Sequence, residues 1–113
     1  VGVPFEDIEA NNAIDAGAVN IIRGSNSGLT TQGDQIVHQQ NPGIMGMAEN
    51  QDRFGEALAS GNLNATDNGH PDLVVRVSGE DLGSSELGAV QLFYTKSGNG
   101  VSQWDSFIKL STF

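Results

Sequence analysis

Three blocks of this sequence occur twice, in the same order. VGVPFED (Val1 to Asp7) returns as VRVSGED (Val75 to Asp81), an offset of 74 residues. AGAVNII (Ala16 to Ile22) returns as LGAVQLF (Leu87 to Phe93), and QGDQIV (Gln32 to Val37) as QWDSFI (Gln103 to Ile108), both at an offset of 71. The loss of length falls in the turn between the first two blocks, where such variation costs least. A chain built this way consists of supersecondary units that cannot bury both faces alone, so neighbouring units must stack.

Each block reads as a strand. Leu73, Val75 and Val77 alternate with Val74, Arg76 and Ser78, a period of two with β-branched residues. Ala18 to Ile22 and Ala89 to Phe93 are short apolar runs bounded by glycine and polar turns. GSNSG and KSGNG supply turn chemistry between the second and third blocks, since glycine and asparagine tolerate positive φ. MAENQDRFGEALAS is the one segment with helical character, and Gly55 in its middle favours a loop followed by a strand. The predicted fold class is therefore all-β, in units of four short strands.

The predicted organisation has three parts. Residues 1–40 hold about three strands of one unit, residues 41–52 (NPGIMGMAENQD) form the connection, and residues 53–113 hold a complete four-stranded unit. Wedge-shaped sheets of this kind stack radially, typically about 4–8 to a ring. One unit and three strands cannot close such a ring, so partner chains or neighbouring units are expected. Val1 falls inside a predicted strand, which favours a segment of a larger protein; one segment of a nicked ring and assembly with further copies of itself are the other resolutions.

Composition narrows the function classes. The 14 acidic residues outnumber the 5 basic ones and give a formal net charge of −9, which repels phosphate backbones and anionic lipid surfaces. Nucleic-acid binding and attachment to such membranes are disfavoured, and no apolar run is long enough for membrane insertion. With no cysteine there is neither a disulfide nor thiolate chemistry. The 15 glycines suit short strands joined by many tight turns.

The sequence resembles the FG-GAP repeat, the blade of the integrin α-subunit β-propeller and of its bacterial relatives. The resemblance runs through Phe54-Gly55 with Ala57 and Ala59, Asp72 to Val75, Val3-Pro4 with Glu6-Asp7, Gly17 to Val19, Gly28-Leu29, and His38-Gln39 leading to Pro42-Gly43. It implies blades of four antiparallel strands, here an incomplete ring, in an exported or cell-surface protein. It also implies a calcium loop of the form D-x-[DN]-x-[DN]-G-x-x-D between the FG strand and the next. On that pattern Asn62 and Asn64 take the first two ligand positions, Gly69 makes the sharp turn, His70 offers a backbone carbonyl, and Asp72 closes the loop. Asp67 or Asn68 takes the third position, because the loop is two residues longer than the family spacing. The leading aspartate of the pattern is Asn62 here, which keeps an oxygen ligand but removes charge and weakens a site for a hard divalent ion. Two readings therefore stand: a calcium-braced loop, and a polar turn whose Asp and Asn side chains bond the local backbone.

Other residues with chemistry have plainer roles. Glu6-Asp7 and Glu80-Asp81 recur with the repeat, as loop features do, although paired carboxylates could serve glycoside hydrolysis. His38 and His70 are the two histidines and fall short of a zinc ligand set. Tyr94 and Trp104 could stack on a sugar, with a buried contact between units as the plainer reading. Met45 and Met47 are expected to fill gaps in the connection. Asn64-Ala65-Thr66 is an N-glycosylation sequon, which matters only along a eukaryotic secretory route. The function expected is a non-catalytic extracellular propeller segment, a scaffold for adhesion or for a protein or glycan ligand. The alternatives are a carbohydrate-binding module of a secreted hydrolase and a part of an enzyme whose active site lies elsewhere.

Overall fold

The computed structural model describes residues 1–41, 47–63, 71–79, 88–96 and 100–109, with 95–109 described by backbone alone. The described residues are all-β. Strands β1 (Gly2–Val3), β2 (Ala18–Ser25) and β3 (Gly28–Val37) form one antiparallel sheet in that order. Strands β4 (Phe54–Gly61), β5 (Asp72–Val77), β6 (Ala89–Lys96) and β7 (Gly100–Lys109) form the second. One short 3-10 turn, Glu9–Asn11, lies between β1 and β2. No closed ring is formed among the described residues.

The ladders of the two sheets correspond residue by residue. Gly2 opposite Val19 and Val3 opposite Ala18 in the first sheet are matched by Arg76 opposite Val90 and Val77 opposite Ala89 in the second. Val19 opposite Val37, Asn20 opposite Ile36 and Ile21 opposite Gln35 are matched by Val90 opposite Ile108, Gln91 opposite Phe107 and Leu92 opposite Ser106. These are the offsets of 74 and 71 read from the sequence. Register in a half-buried sheet is fixed by which face is apolar, because a slip of one residue turns every side chain over. Both outer ladders are interrupted past their midpoint, between Ile21 and Arg23 and between Phe93 and Thr95. In the first sheet the excursion lies in β3, where Arg23 Nε donates to the Gly33 carbonyl at 2.9 Å.

Alternation along the strands sorts each sheet into two faces. The front of the second sheet carries Val75, Val77, Ala89, Gln91 and Phe93, all without exposure, together with Leu73. Its back carries Val74, Val90 and Leu92, half-buried, and Arg76, which is exposed. The back of the first sheet, formed by Val19, Ile21 and Val37, packs on the front of the second and makes one core with Phe54, Val75, Val77 and Phe93. Phe54 and Phe93 meet edge to face, ring centroids 5.9 Å apart at 86°. Each such side chain contributes roughly 1.5–3 kcal/mol through its burial.

Two features hold the sheets at this spacing. Residues 51–54 run beside 14–16, with backbone bonds from Gln51 to Ile14 (2.8 Å), Arg53 to Asp15 (3.0 Å) and Phe54 to Ala16 (2.8 Å). Gly2 lies against Gly55 so closely that a β-carbon at position 2 would run into the Gly55 carbonyl. A satellite cluster of Ile8, Ala13, Ala16 and Ala48 seals the 8–16 excursion, closed by reciprocal bonds between Ile8 and Ala13. The expected role of Met47 is corrected here: its side chain is 65% exposed and fills no gap, whereas Ala48 beside it is buried. Met45 lies outside the described residues.

Candidate functional site

The loop after β4 is rooted on a ladder pair, Gly61 opposite Asp72. Asp72 is buried, and its Oδ2 accepts a hydrogen bond from the Leu63 backbone N–H at 2.9 Å. A buried carboxylate is tolerated only where donors face it, so this bond ties the departing strand to the returning one. Asn62 follows β4 directly and is exposed. Of the six residues proposed from sequence as calcium ligands, Asn62 and Asp72 thus flank the two ends of the loop. Asn64, Asp67, Asn68 and His70 lie outside the described residues, as does the remainder of the sequon. Among the described residues no three histidines or carboxylates converge on a metal-sized site. The described donor set is the Asp72 carboxylate and the Asn62 amide.

A second place of interest is the front of the first sheet. A cleft of about 340 Å³ opens there over Val3, Ala18, Asn20 and Ile36, rimmed by Glu6, Asp7 and Glu9 and walled by His38. Asp7 is committed to the local backbone, its Oδ1 accepting from Asp15 N–H at 2.9 Å. That bond is what an aspartate in a turn does. Glu80 and Asp81, the corresponding pair, lie outside the described residues.

His38 ends β3 and turns the chain. Its backbone N–H donates to Asn41 Oδ1 at 2.7 Å, and its Nδ1 accepts from the Gln40 N–H at 3.1 Å. Burial pushes the imidazole below its ordinary value of 6.5. The accepting Nδ1 places the ring proton of the neutral form on Nε2. His38 is a cleft wall held by its own turn, and His70 lies outside the described residues. The backbone of Trp104 lies in β7, and its side chain is outside the described set.

Sequence reasoning missed Asp52. It is 1% exposed, its Oδ2 accepts from Glu49 N–H at 2.8 Å, and its carbonyl accepts from Gly79 N–H at 2.9 Å. It therefore ties the connection to the end of β5. Nothing in its spacing announced this; the weak signal was an acidic residue two places ahead of Phe54-Gly55.

Compared with curated proteins, the chain is similar to the integrin alpha-3 of Cricetulus griseus, 39% identical over 75 residues. The match takes in 66% of this chain and 6% of that protein's length. No family model matches the chain, and no solved structure matches it. The similarity is thus integrin-like and partial, borne by an all-β chain of two stacked antiparallel sheets.

Proposed function

We propose that this chain is a non-catalytic segment of an extracellular or cell-surface, integrin-like protein. In this reading the four-stranded sheet is one FG-GAP blade and the three-stranded sheet the greater part of the blade before it. The observation that carries it is the correspondence of the ladders, Val3–Ala18 with Val77–Ala89 and Val19–Val37 with Val90–Ile108, together with the stacking of one sheet's back on the other's front. The partial similarity to integrin alpha-3 supports the same reading from a different side. Such stacks present their loops at a rim, and ligands are taken by loops held on a rigid scaffold. The role that follows is adhesion or ligand binding, with calcium as a brace of the 62–72 loop rather than a reagent.

Three measurements test it. Labelling intact source cells with a membrane-impermeant biotin reagent is expected to tag the chain's parent protein. The immobilised chain is expected to retain members of a panel of extracellular proteins and glycans, and to turn over nothing in a hydrolase panel. Labelling only after lysis, or turnover by the chain, overturns the reading. Calcium chloride added to the chain alone is expected to raise its thermal midpoint, by about 2.7 kcal/mol of stabilisation at a hundred times Kd. An unchanged midpoint removes the calcium brace and leaves the scaffold.

A further inference from the structure

The turn that ends β3 is closed by bonds of two kinds. The Asn41 backbone N–H donates to the His38 carbonyl at 3.0 Å, and the His38 N–H donates to Asn41 Oδ1 at 2.7 Å. No partner in that pair titrates. The third bond runs from the Gln40 N–H to His38 Nδ1 at 3.1 Å, and it exists only while that nitrogen carries no proton. Burial pushes the imidazole below its ordinary value of 6.5, so at neutral pH the ring is uncharged and the bond is made.

Gln40 carries the consequence out of the turn. Its side-chain Oε1 accepts from the Ala48 backbone N–H at 3.0 Å, eight residues along the chain. Ala48 is buried with Ile8, Ala13 and Ala16, and its carbonyl accepts from Asn11 Nδ2. A buried N–H has no water to turn to, so loss of the Gln40 oxygen is felt in full. Just beyond Ala48 the chain is strapped down again: Glu49 N–H donates to Asp52 Oδ2 and Gln51 N–H to the Ile14 carbonyl, both at 2.8 Å. One run of bonds therefore links His38, through both the backbone and the side chain of Gln40, to Ala48 and the 8–16 excursion.

We propose that His38, Gln40 and Ala48 form an acid-sensitive latch. A proton on Nδ1 sets N–H against N–H, turns the ring and residue 40 apart, and releases the connection at Ala48 from the end of β3. The charges around the ring favour the turned state. Glu6, Asp7 and Glu9 line the same cleft, the lining residues of β1 and β2 carry no charge, and a cationic imidazole is drawn toward the carboxylates. Asp34 is the acidic residue of β3 itself, and Glu49 follows Ala48 in the connection. The two bonds between His38 and Asn41 keep the turn closed meanwhile, so the change is local. Every bond of the latch lies within this chain, and the inference rests neither on surface location nor on a ligand.

The test is amide NMR on the whole chain between about pH 7.5 and pH 5, with the His38 ring signals reporting its own titration. The Gln40 and Ala48 amide shifts are expected to move with the His38 midpoint. Hydrogen-exchange protection at Ala48, corrected for the intrinsic effect of pH, is expected to fall at least about tenfold, while protection at core Val75 holds. His38→Gln is expected to abolish the pH dependence at Ala48. Gln40→Ala is expected to leave the His38 titration in place and Ala48 poorly protected at every pH. A ring that stays neutral down to about pH 5 overturns the proposal. So does an Ala48 amide that ignores the His38 titration, or one whose response survives in both variants. Protection lost at Val75 in step with Ala48 also overturns it, since that is global unfolding. The surface-labelling test above is unaffected by any of these outcomes.

Discussion

Phe93→Ala removes a fully buried side chain from the core that the two sheets share. Phe93 projects from the front of the second sheet, has no exposure, and sits edge to face with Phe54 at 5.9 Å within the cluster that includes Val19 and Val37. Truncating a buried phenylalanine costs about 3–5 kcal/mol in lost transfer energy and cavity. A domain of this size has about 5–15 kcal/mol in all, so the variant is left near its folding threshold. The expected fall in Tm is roughly 10–20 °C. Urea unfolding followed by circular dichroism and by the fluorescence of the single tryptophan measures it. A double-mutant cycle with Phe54→Leu and Phe93→Leu isolates the ring pair, with an expected coupling of about 0.5–1.5 kcal/mol. A loss below about 1 kcal/mol for Phe93→Ala, as at a surface position, would refute a core shared by the two sheets.

Gly55→Ala is expected to destabilise by more than about 2 kcal/mol: φ is +93° there, which costs an L side chain roughly 1–2 kcal/mol, and the added carbon would stand 2.6 Å from the Ala18 carbonyl. The urea midpoint checks this, and a neutral result would mean that the sheets slide apart freely. Asp72→Ala is expected to cost about 1–3 kcal/mol by leaving the Leu63 N–H without its acceptor, with Asp72→Asn intermediate and any calcium-induced rise in Tm absent from both. For His38 the sign follows from burial: the folded imidazole holds its proton less tightly than the unfolded one, whose ordinary value is 6.5. The stability it contributes is complete above 6.5 and is lost as pH falls through the lower folded value. His38→Gln is thus expected to flatten the decline in urea midpoint between about pH 7.5 and pH 5, and identical slopes would exclude it.

Strands were legible where the side-chain period was clean. Leu73, Val75 and Val77 all face the core and Arg76 faces water, as the alternation requires. The runs at 18–22 and 89–93 lie in β2 and β6 because apolar residues flanked by glycine have few other uses in a glycine-rich chain. The 8–16 excursion gave no warning, since its buried residues are Ile8 and three small alanines, one of them supplied by Ala48 from the connection. Alanine carries no period and little hydrophobic signal, and only tertiary contact shows that it is inside. Asp52 was missed for a related reason, because its partners are backbone groups, and backbone leaves no trace in a sequence. At the 62–72 loop the family resemblance implied Asp72 as a closing residue. Its bond to Leu63 is a local one that either reading of the loop accommodates.

The contact of Gly2 with Gly55 has an evolutionary consequence. Where side chains interdigitate, a larger residue on one side can be offset by a smaller one on the other, and a joint drifts without failing. Here main chain lies on main chain and both positions are already at the smallest residue there is, so an added methyl has no compensating partner. Substitution at this seam can only loosen it, and the distance between the sheets is set by the polypeptide itself.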